Sequence, residues 1–213
     1  EEVADELIEL LQGNMAELVV GNPLSIATDV GPVIDGEAKK SLEAHIARMT
    51  AEPTAKILAQ TPMSSSSEIH QDAATFVLPT AIEVKSIDVI GGEHFGPILH
   101  VLRYKARDLD KLINAINATG FGLTLGIHSR IENIAEHIER HVVVGNTYIN
   151  RNQIGAVVNV QPFGGCGLSG TGPKAGGPHY VARLMKLEAA TVNSASIMSQ
   201  NNHTQAVTQT ELA

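Results

Sequence analysis

Residues 98–149 read ILHVLRYKARDLDKLINAINATGFGLTLGIHSRIENIAEHIERHVVVGNTYI. Short aliphatic runs at 98–104, 123–127 and 142–149 are typical of β-strands. Helical patterns at 108–118 and 131–140 separate these runs. Strands that alternate with helices in this way favour a parallel sheet. The sequence therefore predicts an α/β fold, with a mostly parallel sheet and flanking helices.

The residues before this stretch predict two amphipathic helices and one more strand, at 76–84. The first helix, at 2–18, carries apolar side chains at helical spacing: Val3, Leu7, Leu10, Leu11, Met15 and Leu18. The second helix, at 37–49, is predicted to turn one set of side chains inward (Leu42, Ile46, Met49) and another outward (Lys39, Lys40, Arg48). We expect one domain at 1–187 and a tail at 188–213, with one possible strand at 190–194 and an end without fixed structure.

Composition excludes several classes of function. The net charge is −8 and no cluster of Lys and Arg is long enough to follow phosphates, which argues against nucleic-acid binding. No apolar run approaches the length of a membrane span. The single cysteine, Cys166, cannot form an intramolecular disulfide, and the N-terminal residues do not resemble a signal peptide. These features together predict a cytoplasmic protein.

A loop rich in Gly, Pro, Asn and Ser occupies 150–178, where we expect the chemistry because long loops are often functional. Residues 165–170 satisfy G-x-G-x-x-G, but neither a clear strand before them nor a helix after them supports dinucleotide binding. Cys166 is interpreted as a small residue in a turn, because it lies between glycines with no basic residue beside it to activate the thiol. His137 and His141 share a helical face without a third ligand, so no metal is predicted.

Two motifs carry a resemblance to a known family. GEHFGP (92–97) resembles the E-x-F-G-P motif of the aldehyde dehydrogenase superfamily. NTYINRNQIGAVVNVQPFGG (146–165) and GTGPKAGGPHY (170–180) resemble its glutamate-semialdehyde dehydrogenase branch, most closely the dehydrogenase module of the bifunctional proline utilization A family. The resemblance covers roughly residues 1–195 and implies the catalytic-domain fold of that superfamily, incomplete and with an extended C-terminal tail.

The resemblance also implies roles for individual residues. Glu93 would hold the nicotinamide ribose hydroxyls of NAD, and Phe95 would lie against the nicotinamide. Gly155 and Ala156 would donate backbone amides to the carboxylate of glutamate semialdehyde, and Phe163 would contact the aliphatic part of this substrate. A solvated β-turn for Glu93 and core packing for Phe163 are the structural alternatives. Asn159 stands where the family pattern has glycine, and asparagine tolerates left-handed backbone geometry.

The family's nucleophilic cysteine, general base and Rossmann domain would precede Glu1, so no catalytic residue is assigned to this chain. Its first helix lacks a capping sequence, which indicates that Glu1 is a fragment boundary. The resemblance implies part of an NAD-dependent enzyme that forms glutamate in proline breakdown, with FAD only in a possible fused proline dehydrogenase half. We expect the isolated chain to be inactive, its partners being the rest of its own polypeptide and further copies in a homo-oligomer. A non-catalytic assembly module and an aldehyde dehydrogenase of other specificity are the alternatives.

Overall fold

The computed structural model describes residues 3–62, 75–170 and 172–185. The predicted tail at 188–213 lies outside these ranges, so that boundary and the tail stay predictions. Among the described residues, no helix combines the length and hydropathy that a membrane span requires.

Two helices open the described chain, α1 (Ala4–Glu17) and α2 (Gly36–Ala51), and both pack against the first strand. The side chain of Asp35 caps α2 by accepting a hydrogen bond from the Ala38 amide at 2.7 Å. Leu42, His45 and Met49 form the buried face of α2. The inward prediction is therefore confirmed for Leu42 and Met49, whereas Ile46 is only half-buried and His45 lies inside.

The predicted apolar face of α1 is partly wrong. Ile8 and Met15 are its buried residues, whereas Val3, Leu7 and Leu10 are exposed. Because apolar side chains occur on more than one side of this helix, periodicity alone could not select the side that packs on the sheet.

Three strands form the first sheet, in the order β1 (Ala55–Gln60), β2 (Thr80–Val84) and β3 (Ile98–Leu102). The parallel pairing of β2 with β3 confirms the predicted topology, but β1 was missed and pairs antiparallel with β2. The strand predicted at 76–84 begins only at Thr80, directly after Pro79, because proline has no amide hydrogen for the sheet.

The core of this half lies between α2 and the sheet. Met49, Ile82 and Val84 are fully or almost fully buried. Half-buried apolar side chains surround them: Ala55, Ile57, Val89, Ile90, Ile98 and Leu102. This packing fixes α2 against the sheet whose strand β3 directly follows the first motif.

The second half contains α3 (Leu109–Ala118), β4 (Phe121–Gly122), β5 (Thr124–Ile127), α4 (Glu132–His141), β6 (Asn146–Ile149), β7 (Cys166–Gly167) and the short α5 (Tyr180–Arg183). Here β5 pairs parallel with β6, and β4 pairs antiparallel with β7. The described strands thus form three separate sheets, and the parallel pairs β2–β3 and β5–β6 agree with the predicted α/β fold.

Candidate functional site

The turn at 91–97 carries Glu93 and Phe95 between a short 3-10 helix (Ile87–Ile90) and β3. It begins with two glycines at positive φ, 83° at Gly91 and 154° at Gly92, a backbone region that side chains disfavour. The glycines before Glu93 are therefore required by the path of the chain.

Helix α2 supports the other end of this turn. A Cβ built on Gly96 would lie 2.3 Å from Leu42 Cδ1, so any larger residue at this position would require the Leu42 side chain to move. The Thr80 amide donates to the Pro97 carbonyl at 2.9 Å, which joins the turn to β2 as well. The turn thus rests on both the helix and the sheet.

Glu93 and Phe95 both point away from this support. Glu93 is exposed and has no hydrogen-bond or ion-pair partner among the described residues. The Phe95 side chain is 79% exposed, although phenylalanine is normally buried. A free carboxylate beside a bare aromatic ring is what a ligand with hydroxyls and a flat ring would require, so the geometry is compatible with the predicted roles.

A cluster of basic side chains lies under the turn. The imidazoles of His45 and His94 stack with ring centroids 3.5 Å apart, and His45 Nε2 lies 2.9 Å from His100 Nε2. The Arg48 guanidinium contacts His45 Nδ1 at 3.0 Å. Burial, and after it the positive neighbours His94, His100 and Arg48, lowers the pKa of His45 to about 4. Burial also lowers the pKa of His100, with smaller contributions from His94 and Arg48.

Sequence reasoning missed this cluster. Arg48, predicted on the outward face, is exposed, yet its guanidinium also donates to the carbonyls of Val89 and Ile90. The available signal was His45 itself, which falls between Leu42 and Met49 at helical spacing.

The loop after β6 is tied to the second half of the molecule by an asparagine. Asn146 is buried, donates to the Pro162 carbonyl at 2.9 Å and accepts from the Gly164 amide at 3.3 Å. Asn150 adopts a left-handed conformation, and its side chain pairs with the amide and the carbonyl of Ser129. The chain leaves β6 on a fixed path.

Close backbone contacts hold the second part of this loop. A Cβ on Gly145 would lie 1.9 Å from the Gly164 carbonyl oxygen, and Lys174 Nζ donates to the Gly145 carbonyl. Phe163 and Ala175 exchange two backbone hydrogen bonds, of 3.0 and 2.9 Å. Phe163 is half-buried, so both substrate contact and packing are compatible with its position.

Gly155 and Ala156 lie at the front of the loop. Their backbone amides have no acceptor among the described residues, and a Cβ on Gly155 would meet nothing within 4 Å. Nearby Ile154 is 93% exposed, and Val157, Val158 and Val160 are exposed too. Two free amide donors thus lie on an apolar surface, an arrangement suited to a carboxylate on an aliphatic chain.

The structure also bears on three further interpretations of the sequence. Asn159 has φ 64°, which confirms that the loop requires a left-handed residue there. Residues 165–170 pass through β7 and a turn instead of opening a helix, so they lack the helix that a dinucleotide-binding G-x-G-x-x-G motif requires. Cys166 lies in β7, opposite Gly122, as a half-buried free thiol. Within the described ranges no group of three or more His, Cys, Asp or Glu side chains could hold a metal ion.

Comparison with known proteins decides the family, because residues 1–190 match the aldehyde dehydrogenase family over most of the chain. The chain belongs to this family. It is 51% identical over 190 residues to the bifunctional protein PutA of Klebsiella aerogenes, covering 87% of this chain and 14% of that protein. It is 35% identical over 196 residues to 1-pyrroline-5-carboxylate dehydrogenase of Bacillus cytotoxicus, covering 90% of this chain and 36% of that protein.

Solved aldehyde dehydrogenase structures agree with the sequence relatives. A crystal structure of a proline utilization A variant from Bradyrhizobium japonicum superimposes with a TM-score of 0.78 at 53% identity, over 86% of this chain and 18% of that chain. The described residues therefore form part of the aldehyde dehydrogenase fold, as the motifs implied. The roles of Glu93, Phe95, Gly155, Ala156 and Phe163 remain predictions, since none of these comparisons tests a single residue.

Proposed function

We propose that this chain is the C-terminal part of the catalytic domain of an NAD-dependent dehydrogenase that oxidises L-glutamate γ-semialdehyde to glutamate in proline breakdown. The observation that carries the proposal is the pair of unpartnered amides at Gly155 and Ala156. The similarity to a 1-pyrroline-5-carboxylate dehydrogenase and to PutA supports the substrate class. An aldehyde dehydrogenase for uncharged substrates would not require two free amide donors on an apolar surface.

The residues of the first turn fit the proposed cofactor. Glu93 offers a carboxylate without a partner among the described residues, which can accept hydrogen bonds from two ribose hydroxyls. Phe95 offers an exposed ring for a flat heterocycle. NAD would supply the hydride acceptor for aldehyde oxidation. FAD belongs only to a proline dehydrogenase half, if one is fused to the same polypeptide.

The residues of the loop fit the proposed substrate. The amides of Gly155 and Ala156 would bind its carboxylate and so orient the aldehyde at the other end of the molecule. Phe163 would bound the aliphatic part. The loop anchors at Asn146 and Gly145 keep these groups in place before the substrate binds.

The nucleophile and the general base are proposed to come from residues outside this chain. Cys166 is its only cysteine and is half-buried in β7, opposite a glycine. We expect no NAD reduction with glutamate semialdehyde by the 213-residue chain and measurable reduction by the longer natural polypeptide that carries it. Absorbance at the NADH band measures both. Inactivity of both proteins would favour an assembly module, and activity of the short chain would show that its nucleophile had been overlooked.

Substituting Ala156 by proline tests the carboxylate site, because proline removes one of the two donors. In the natural polypeptide, the KM for glutamate semialdehyde is expected to rise about tenfold or more, the usual effect of losing a hydrogen bond to a charged group. Gly155→Ala is the matched control, since it keeps both donors and its Cβ meets nothing within 4 Å.

The second substrate in this experiment is butanal, which has no carboxylate. Its kcat/KM is expected to change by less than about twofold in Ala156→Pro, because the lost donor does not contact it. Equal losses with both aldehydes would contradict the carboxylate role and indicate a distorted loop.

The remaining proposals concern the environment of the enzyme. We propose contact with the rest of its own polypeptide, assembly into a homo-oligomer and a cytoplasmic location. The exposed apolar side chains of α1 and of the loop at 154–160 support the first two, because such surfaces are usually covered in a complete protein.

A further inference from the structure

The basic cluster under the 91–97 turn has a role that the cofactor site alone does not explain. It joins three parts of the fold: His45 and Arg48 belong to α2, His94 belongs to the turn, and His100 belongs to β3. His45 is 3% exposed and contacts members of the cluster from all three parts. A buried histidine in this position requires a partner for each ring nitrogen.

The guanidinium of Arg48 fixes the direction of the hydrogen bonds. A guanidinium only donates, so His45 Nδ1 must accept from Arg48 Nη2. The single proton of the neutral His45 ring is then on Nε2, which donates to His100 Nε2 at 2.9 Å. His100 must therefore carry its own proton on Nδ1. Only one arrangement of protons satisfies every contact.

Burial is the main reason why the pKa of His45 is lowered and its ring stays neutral. Arg48 acts on it from its own helix, His94 from the turn and His100 from β3, and each of these neighbours lowers the pKa of His45. Because that pKa falls from 6.5 to about 4, the ring stays neutral across the pH range of an ordinary enzyme assay.

The same groups bind the turn on both sides of Glu93. Before it, Arg48 donates to the carbonyls of Val89 and Ile90 at 2.8 and 2.7 Å. After it, the His94 ring stacks on His45, and its Nε2 donates to the Ile90 carbonyl at 3.1 Å. Glu93 makes no hydrogen bond or ion pair with the described residues, so these contacts fix the backbone from which its side chain projects.

We infer that His45 and Arg48 are positioning residues for the cofactor, which hold the turn of Glu93 by joining α2 to it through Arg48 and His94, and to β3 through the tautomer-specific hydrogen bond from His45 to His100. This inference rests on the proposed NAD-binding role of Glu93. The chemistry that His45 supplies is a fixed hydrogen-bond donor at Nε2.

Two substitutions of His45 in the natural polypeptide separate positioning from bulk packing. His45→Ala removes the ring, whereas His45→Gln retains an amide donor near the position of Nε2. We expect His45→Ala to raise the KM for NAD about fivefold to tenfold, the usual effect of one hydrogen bond, with kcat within about twofold. His45→Gln is expected to recover at least half of that loss. His128→Ala, at an exposed histidine after β5, is the control and should match the wild type.

Amide hydrogen exchange without cofactor gives a second, independent measurement. Peptides covering 91–97 are expected to exchange faster in His45→Ala than in the wild type and to return toward the wild-type rate in His45→Gln. Unchanged exchange in His45→Ala, or equal impairment of both variants, would overturn the inference. If the wild type does not bind NAD, the proposed function fails, and the exchange rates still decide whether His45 positions the turn.

Discussion

Replacing Gly145 by alanine is expected to destabilise the loop after β6 by about 3 kcal/mol, the upper end of the usual cost of overpacking. The new methyl group would lie 1.9 Å from the Gly164 carbonyl oxygen and 2.8 Å from Gly165 Cα. Both are backbone atoms, so relief requires moving the loop and not merely turning a side chain. Urea titration of the natural polypeptide measures the loss, and hydrogen exchange in peptides covering 142–150 and 160–170 assigns it to the loop.

Gly13→Ala is the control for that experiment. Gly13 lies within α1, and a Cβ there would meet nothing within 4 Å. Alanine is favoured over glycine in a helix by about 1 kcal/mol, so this variant is expected to be slightly more stable than the wild type. Similar effects of the two substitutions would show that the close approach of Gly145 to Gly164 is not maintained in the protein.

Replacing Glu93 by glutamine is expected to weaken NAD binding about tenfold to a hundredfold. A hydrogen bond to a charged group contributes about 1.5–3 kcal/mol, and the ribose would lose the charged acceptor. The free energy of unfolding should change by less than about 0.5 kcal/mol, because Glu93 is exposed and makes no contact with the described residues. Isothermal titration of NAD into the natural polypeptide measures the affinity, and urea titration measures the stability.

Glu139→Gln provides the matched control for charge. Glu139 is an exposed residue of α4 without a partner among the described residues, so its substitution changes the net charge equally. Equal affinities in the two variants, at the wild-type level, would exclude Glu93 from cofactor binding and leave its turn as a solvated connection.

The helices were predictable from the sequence because their apolar spacing is regular over ten or more residues. α2, α3 and α4 begin and end within two residues of the predicted bounds. β1 was not predictable in the same way. Its sequence, AKILAQ, has no clean alternation, and a register shift between Ile57 and Ala59 interrupts the pairing with β2. Whether such a segment forms a strand depends on pairing partners that are far away in the sequence.

The motifs of the candidate site could be predicted from the sequence, but the tertiary contacts that hold them in place could not. Family resemblance drew attention to Glu93, which the structure shows exposed, and to Gly155, which it shows half-buried. No local pattern indicated that His45 would meet His100 across 55 residues, or that Gly145 would meet Gly164. These contacts depend on tertiary packing, which periodicity does not encode.

In the loop after β6, the residues that anchor the loop are separate from the segment proposed to bind the substrate. Its anchors, Asn146 and the contacts of Gly145 with Gly164 and Lys174, all lie outside residues 154–160. Within that segment, the hydrogen bonds that Val157 makes with described residues are those with Val160 and Gln161. Residues 154–160 can therefore be replaced as a unit without removing the contacts that anchor the loop. A substitution within 154–160 therefore leaves every one of these anchoring contacts available to the rest of the loop.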